Sequence, residues 1–168
     1  MDFTPGVFRS ESREVFKPSW IGSMGQGTRA HQIAMYVVFD SPLQMLSDSP
    51  SRYRENQECT DFLSKIPTVW EETIPLAGTI GEYVVMARKT KDAWYVGALT
   101  NWNGREISID FSFLPEGCYR MEYLMDGANA DKTARDYKKV STIVRQNDRL
   151  TFLLASGGGW VAKITKMN

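Results

Sequence analysis

The stretch TNWNGREISIDFSF, residues 100–113, decides the fold class. From Ile107 to Phe113 every second residue is apolar, and the residues between them are Ser or Asp. Strict alternation of this kind indicates a strand with one buried face and one face in water. Asn103 and Gly104 tolerate positive φ, so they predict a tight type I′ hairpin turn before this strand. The stretch therefore predicts an antiparallel β structure.

Short strands of similar character follow one another through the second part of the chain. The pattern predicts seven of them, at residues 82–88, 94–99, 106–113, 118–126, 140–145, 149–154 and 160–165, with an eighth near Val69–Ile74. Turns rather than helices connect them, as at Asn147-Asp148, and this is typical of an antiparallel sandwich or jelly roll. We therefore expect a mainly β chain whose residues 68–168 form a C-terminal β-sandwich.

The first part of the chain has a helical, loop-rich pattern that ends near Pro67, the predicted domain boundary between residues 1–67 and 68–168. Thr28 offers an N-cap oxygen for a helix whose apolar residues recur every three or four positions. These residues are Ala30, Ile33, Ala34, Val37 and Val38. A short helix at residues 42–46 and a third at 55–63 are also expected.

The composition excludes several classes of function. The 20 basic and 20 acidic residues give a formal net charge of zero, which is no electrostatic signature for nucleic acid or an anionic membrane. No apolar run approaches the roughly 20 residues that span a bilayer. The N-terminus lacks the basic and apolar regions of a secretory signal, which says little if the chain is a piece of a longer protein.

The cysteines and the histidine give little sign of chemistry. Cys59 and Cys118 form no CxxC pair, and each is interpreted as a buried free thiol, with a disulfide between them as the alternative. The single histidine, His31, excludes a multi-histidine metal site. It is interpreted as a hydrogen-bonded helix residue, because the sequence singles out no nucleophile that it could serve.

Candidate binding residues are few. Asp126, Asp131 and Asp136 share one polar loop but lack the spacing of an EF-hand, so a solvated loop is favoured over a calcium site. No Lys-Ser/Thr pair or helix follows Gly157–Gly159, so this run is not a phosphate-binding loop. Tryptophans in strands are generally core residues. Trp102 is the best candidate for stacking on a sugar, because it adjoins the predicted hairpin turn.

Eight segments, in their order along the chain, carry a family resemblance. They are MDFTPG, TRAHQIAMYVVFDSPLQMLSDSP, ECTDFLSKIPTVWEET, GEYVVMARK, WYVGALTNWNGR, SFLPEGCYRMEYLMDGANAD, ARDYKK and SGGGWVAKI. They resemble the closing part of family 97 of the glycoside hydrolases, which contains chiefly bacterial α-glucosidases and α-galactosidases. Its members have an N-terminal sandwich, a (β/α)₈ catalytic barrel and a C-terminal sandwich. Residues 1–67 would then be a barrel remnant, with the end of the last strand, a loop and the last helices, and Met1 would be an internal methionine.

The resemblance also implies which parts of the chemistry are missing. Asp2 and Thr4 would lie at the rim of the substrate site in the full enzyme, because barrel active sites lie at the C-terminal ends of the strands. The two carboxyl groups that glycoside hydrolysis requires, and the calcium ligands, would come from earlier barrel segments. No residue here matches the family's catalytic motif. We therefore predict no catalytic residue and no metal site in this chain, and interpret Asp2 as a structural loop residue.

Three functional hypotheses follow from these observations. The first is a catalytically silent C-terminal fragment whose partner is the missing barrel, in an enzyme expected in the periplasm or cell envelope. The second is a free-standing sandwich that binds carbohydrate or a partner protein, and the third is an active hydrolase. The apolar helix face at Ile33–Val38 would lack its barrel strands, so it should pack on the sandwich or on a second copy of the chain, giving a homo-oligomer.

Overall fold

The computed structural model describes residues 4–18 and 22–167, and these form a mainly β structure in layers. The helices are α1 (Arg29–Val38), α2 (Pro50–Glu55) and α3 (Gln57–Leu63). The strands are β1 (Ser10–Glu11), β2 (Gly25–Gln26), β3 (Glu72–Thr79), β4 (Tyr83–Lys89), β5 (Trp94–Thr100), β6 (Arg105–Asp110), β7 (Cys118–Asp126), β8 (Tyr137–Arg145), β9 (Arg149–Leu154) and β10 (Gly159–Lys166). The predicted fold class is confirmed.

The central layer is a six-stranded antiparallel sheet with the order β3-β4-β5-β10-β7-β8. The antiparallel β6–β9 pair covers one of its faces. Ile107 and Ile109 of β6 point into the core between these two sheets, whereas Glu106, Ser108 and Asp110 are exposed. The strand register predicted from the alternation is therefore confirmed.

The helices cover the opposite face of the six-stranded sheet. Ile33, Ala34 and Val37 of α1 are fully buried there, in a second core that also contains Phe62 of α3 and Val161 of β10. The apolar helix face therefore packs on the sandwich, the first of the two predicted alternatives. That face is not available to a second copy of the chain, because the chain's own sheet covers it.

The predicted hairpin at residues 103–104 is wrong. Neither Asn103 nor Gly104 has positive φ, and β5 pairs with β4 and β10 while β6 pairs with β9. The segment instead carries the chain from one sheet to the other. Asn101 Oδ1 accepts a hydrogen bond from Asn103 N at 2.9 Å, and the Thr100 hydroxyl donates to Asn103 O at 2.9 Å. These local bonds fix the crossover without a type I′ turn.

Several other element boundaries differ from the prediction. The strand predicted at residues 106–113 ends at Asp110, and the strand predicted at residues 140–145 begins at Tyr137. Residues 42–46 are not helical, and Leu43 and Leu46 are exposed, so no packed face stabilises a helix there. Ser49 instead caps α2, accepting a hydrogen bond from Arg52 N, and Pro50 begins the helix, where a missing N–H costs nothing. The strand predicted near Val69 is present but begins at Glu72.

Both thiols are free, and Cys59 is buried, as the sequence indicated. Cys118 is exposed at the start of β7, so its interpretation as a buried thiol is wrong. Within the described residues, no helix combines the length and apolarity needed to cross a membrane.

Candidate functional site

Helix α1 lies unusually close to the six-stranded sheet. A Cβ at Gly97 of β5 would lie 2.9 Å from Val38 Cγ2 and 3.1 Å from the Ala34 carbonyl oxygen. Only a glycine lets the helix approach the strand this closely. The arrangement fixes α1 at one depth on the sheet.

The N-terminus of α1 is tied to the triple-glycine turn before β10. Thr28 caps the helix by accepting a hydrogen bond from His31 N, and its own N–H donates to Gly157 O at 2.9 Å. His31 Nδ1 lies 2.9 Å from Gly158 O and donates to it, since a carbonyl only accepts. A Cβ at Gly159 would come within 2.5 Å of His31 N. The turn therefore accepts the helix only because it is made of glycine.

The environment of His31 favours the neutral form of its imidazole. Burial lowers the pKa of His31 below its ordinary value of 6.5, and the hydrogen bond to the Gly158 carbonyl opposes this effect only in part. The Gly158 carbonyl occupies Nδ1 of His31, and the neighbouring Thr28 hydroxyl caps the helix by accepting a hydrogen bond from the His31 backbone N–H. The predicted role of His31 as a hydrogen-bonded helix residue is confirmed by this geometry.

Asp126 holds the other side of the same turn. Its buried Oδ2 accepts hydrogen bonds from Ala155 N at 2.9 Å and Gly159 N at 3.1 Å. Burial raises the pKa of Asp126 to about 6, although the Thr28 hydroxyl and these two amides oppose the rise. A Cβ at Gly158 would overlap the carboxylate. Asp126, the turn and the start of α1 thus form one polar junction, which we call the N-terminal clamp.

A second contact, the C-terminal clamp, holds the other end of α1. Arg88 of β4 is 3% exposed and donates to Val38 O at 3.0 Å and to Asp40 Oδ1 at 3.2 Å. Its guanidinium also lies over the Trp70 ring, 5.7 Å from the centroid. A cation at a helix C-terminus satisfies carbonyls that have no partner within the helix. The helix is therefore bound to the sheet at both ends.

A polar cleft opens beside the N-terminal clamp, between the N-terminal segment, α2 and the β7–β8 loop. Its volume is about 880 Å³. The lining residues are Phe8, Arg9, Glu11, Arg29, Arg52, Glu55, Asn56, Asn129, Thr133, Arg135 and Asp136. The N–H of Arg29 donates to Ala134 O at 2.8 Å and so joins the loop to the helix.

The residues singled out from the sequence do not converge on one site. Asp2 lies outside the described residues. Thr4 is exposed and lines a small groove with Met24 and Gln32. Trp102 is half-buried, packs against Gly157 of the N-terminal clamp and has Arg13 6.0 Å from its ring centroid. Stacking of a sugar on Trp102 stays a prediction.

The three aspartates of the polar loop point in different directions. Asp126 is buried in the clamp, Asp131 is exposed, and Asp136 accepts a hydrogen bond from Asn129 N. Among the described residues, no group of three or more His, Cys, Asp or Glu side chains could hold a metal ion. The calcium that the family resemblance implies for the full enzyme stays a prediction, because its ligands would come from earlier barrel segments.

Sequence reasoning missed both clamps. The signal for the C-terminal clamp is Arg88 at the end of the apolar run YVVMAR, where a charge needs a partner. The signal for the N-terminal clamp is the run of three glycines at residues 157–159, which indicates close approach of another backbone. Neither signal identifies the helix as the partner.

Comparison with known proteins gives the family context. Residues 69–165 match the family model described as "Glycosyl-hydrolase 97 C-terminal, oligomerisation". The chain is 46% identical over 164 residues to a protein of Bacteroides thetaiotaomicron named "Retaining alpha-galactosidase". The match covers 98% of this chain and 25% of that protein.

The fold is similar to a solved enzyme structure of the same family. The glycoside hydrolase family 97 enzyme of Pseudoalteromonas sp. strain K8, in complex with acarbose, matches with a TM-score of 0.80 and 34% identity. That match covers 84% of this chain and 23% of the enzyme. The chain thus spans about a quarter of the length of the relatives that it matches.

Proposed function

The chain belongs to family 97 of the glycoside hydrolases, with residues 69–165 in its C-terminal domain, and we propose that it supports the catalytic barrel of such an enzyme without reacting itself. In this proposal residues 1–67 are the remnant of the barrel and residues 68–168 are the supporting sandwich. The observation that carries the proposal is the pair of clamps on α1. A helix bound at both ends to the sandwich would hold the last part of a barrel in a fixed position.

The proposed substrates of the full enzyme are α-galactosides, with α-glucosides as the alternative. The 46% identity to the named retaining α-galactosidase favours the first. Hydrolysis needs two carboxyl groups about 5–9.5 Å apart across the scissile bond. In our proposal these groups and the calcium ligands belong to the barrel outside this chain, and Asp2 and Thr4 border the substrate.

An activity assay tests the supporting role. The purified chain should not hydrolyse aryl α-galactosides or aryl α-glucosides, with or without added calcium. A positioned carboxylate pair can contribute about 7–11 kcal/mol through orientation alone, and in our proposal the barrel that would position one lies outside this chain. Turnover that persists through purification and disappears in a variant of one carboxylate of this chain would contradict the proposal.

We also propose that the sandwich associates with a second copy of itself. The description of the matched family model as an oligomerisation domain supports this. Since α1 is covered by the sheet, the contact would use another surface. Exposed apolar side chains are available at Ile143 of β8 and Leu153 of β9, which are 56% and 64% exposed. Sedimentation equilibrium should give a mass above that of one chain, and a monomer at the highest soluble concentration would overturn this second proposal.

A further inference from the structure

We propose that the polar cleft beside the N-terminal clamp binds a hydroxylated anion, namely a sugar that carries a carboxylate or a phosphate. This site is separate from the supporting role proposed above and does not depend on it. The cleft volume of about 880 Å³ is in the range of small-molecule sites in proteins. It is large enough for a monosaccharide with a charged group.

The charges of the cleft favour an anion. Its arginines are Arg9, Arg29, Arg52 and Arg135, and its carboxylates are Glu11, Glu55 and Asp136. Glu11 pairs with Arg135 at 3.7 Å, and Glu55 pairs with Arg52 at 3.0 Å. Within residues 4–18 and 22–167, neither Arg9 nor Arg29 has a carboxylate at ion-pair distance. Two of the four arginines that line the cleft thus have no counter-ion from this part of the chain.

Arg29 makes the strongest case, because it is only 5% exposed. Its guanidinium donates to Phe8 O and to Asn56 Oδ1 and lies over the rings of Phe8 and Tyr137, which are all neutral partners. Its buried Nε has no hydrogen-bond partner among the described residues. A buried cation that lacks a counter-ion is costly. An anion bound in the cleft would offset this cost by electrostatic attraction, which is strong where water is excluded.

The rest of the lining fits hydroxyl groups. The side chains of Asn129 and Thr133 form no hydrogen bond with any described residue, so they are free to bind a ligand. The Glu55 and Asp136 carboxylates can accept hydrogen bonds from ligand hydroxyls. A bare ion would leave these groups unused. The combination of arginines with free amide, hydroxyl and carboxylate groups therefore favours a charged sugar.

Calorimetric titration of the whole chain at low ionic strength tests the proposal, with galacturonate, galactose 6-phosphate, galactose and inorganic phosphate as probes. At least one charged sugar should bind more tightly than galactose and inorganic phosphate, and the tighter of the two charged sugars identifies the anionic group. Arg9→Gln and Arg135→Gln should each weaken binding by about tenfold, since each removes a charged donor. Arg29 is left unchanged in these variants because its hydrogen bonds hold the N-terminal segment.

Arg149→Gln is the matched control. Like Arg135 it is exposed and pairs with a carboxylate, Asp110, at 3.5 Å, but it lies on β9, away from the cleft. Its affinity for the charged sugar should equal that of the unmodified chain. The proposal would be overturned if galactose bound as tightly as the charged sugars, or if neither charged sugar bound. It would also be overturned if all three variants lost the same affinity for the charged sugar.

Discussion

At the residue scale, the burial of Asp126 opposes the ionisation of its carboxyl group. Burial raises its pKa from 3.8 to about 6, so the native state retains this proton more tightly than the unfolded chain does. Its contribution to stability is therefore fully present below about pH 4 and is lost as the pH rises through about 6. At about 1.4 kcal/mol for each pKa unit, ionising Asp126 costs the native state about 3 kcal/mol at neutral pH.

The first prediction replaces this carboxylate by an amide. Asp126→Asn keeps one oxygen for the Ala155 and Gly159 amides and removes the buried charge. Urea unfolding should show the variant gaining stability relative to the unmodified chain as the pH rises from about 4 to about 7, by up to about 3 kcal/mol. Asp131→Asn, in the exposed part of the same loop, is the control and should show no such trend. A stability difference that stays constant with pH would contradict the assigned pKa.

The second prediction concerns the C-terminal clamp. Arg88→Ala leaves the Val38 carbonyl without its buried donor, so the free energy of unfolding should fall by about 2–3 kcal/mol. Asp40→Asn should change it by less than about 0.5 kcal/mol, because the Asp40 side chain is 83% exposed and its ion pair is screened by water. Chemical denaturation measures both values. If both variants lost the same free energy of unfolding, Arg88 would stabilise the chain through the ion pair with Asp40 and not through the Val38 carbonyl.

At the scale of elements, the contact between α1 and the start of β10 depends on one glycine. In Gly159→Ala the new methyl group would meet the His31 backbone, which cannot move aside as a flexible side chain could. Thermal unfolding should show that the free energy of unfolding of this variant is lower by about 2–3 kcal/mol. Gly81→Ala, in a turn with open space around it, has only the strain of its φ of 77° and should lose about 1 kcal/mol. An equal or smaller loss for Gly159→Ala would mean that the helix does not lie this close to the turn.

Most elements could be predicted from the sequence, and the connections between them could not. Local periodicity shows which face of an element is buried. It did so for the alternation in β6 and for the spacing of Ile33, Ala34 and Val37 in α1. Whether Asn103-Gly104 closes a hairpin or carries the chain to another sheet depends on which strands pair, and no local pattern contains that information. The prediction of a type I′ turn was wrong for this reason.

The candidate site was less predictable than the fold. The clamps and the polar cleft join residues far apart in the chain, such as Arg29 with Asn56 and Asp126 with Gly159. A charged residue in an apolar strand, such as Arg88, indicates that a hydrogen-bond or ion-pair partner exists. The sequence does not indicate which residue that partner is. The family resemblance did not indicate the cleft or the clamps.

At the scale of the whole molecule, two apolar cores share the six-stranded sheet. One lies between this sheet and β6–β9, and the other lies between the sheet and the helices. Tyr95 and Val161 belong to the second core, whereas their strand neighbours Val96 and Ala162 belong to the first. Because the same strands serve both cores, the helical layer and the sandwich should unfold together. This cooperativity is the central claim, since a supporting role requires that the sandwich hold α1 firmly.

Native-state amide hydrogen exchange of the whole chain tests that claim most directly. The account predicts that the slowest amides of α1, such as those of Ala34, Val37 and Val38, exchange only through global unfolding. Their free energies of opening should equal those of β5 and β10. If the α1 amides instead exchange through a local opening of much lower free energy while β5 and β10 stay protected, then the sandwich does not hold the helix and the proposed supporting role is contradicted.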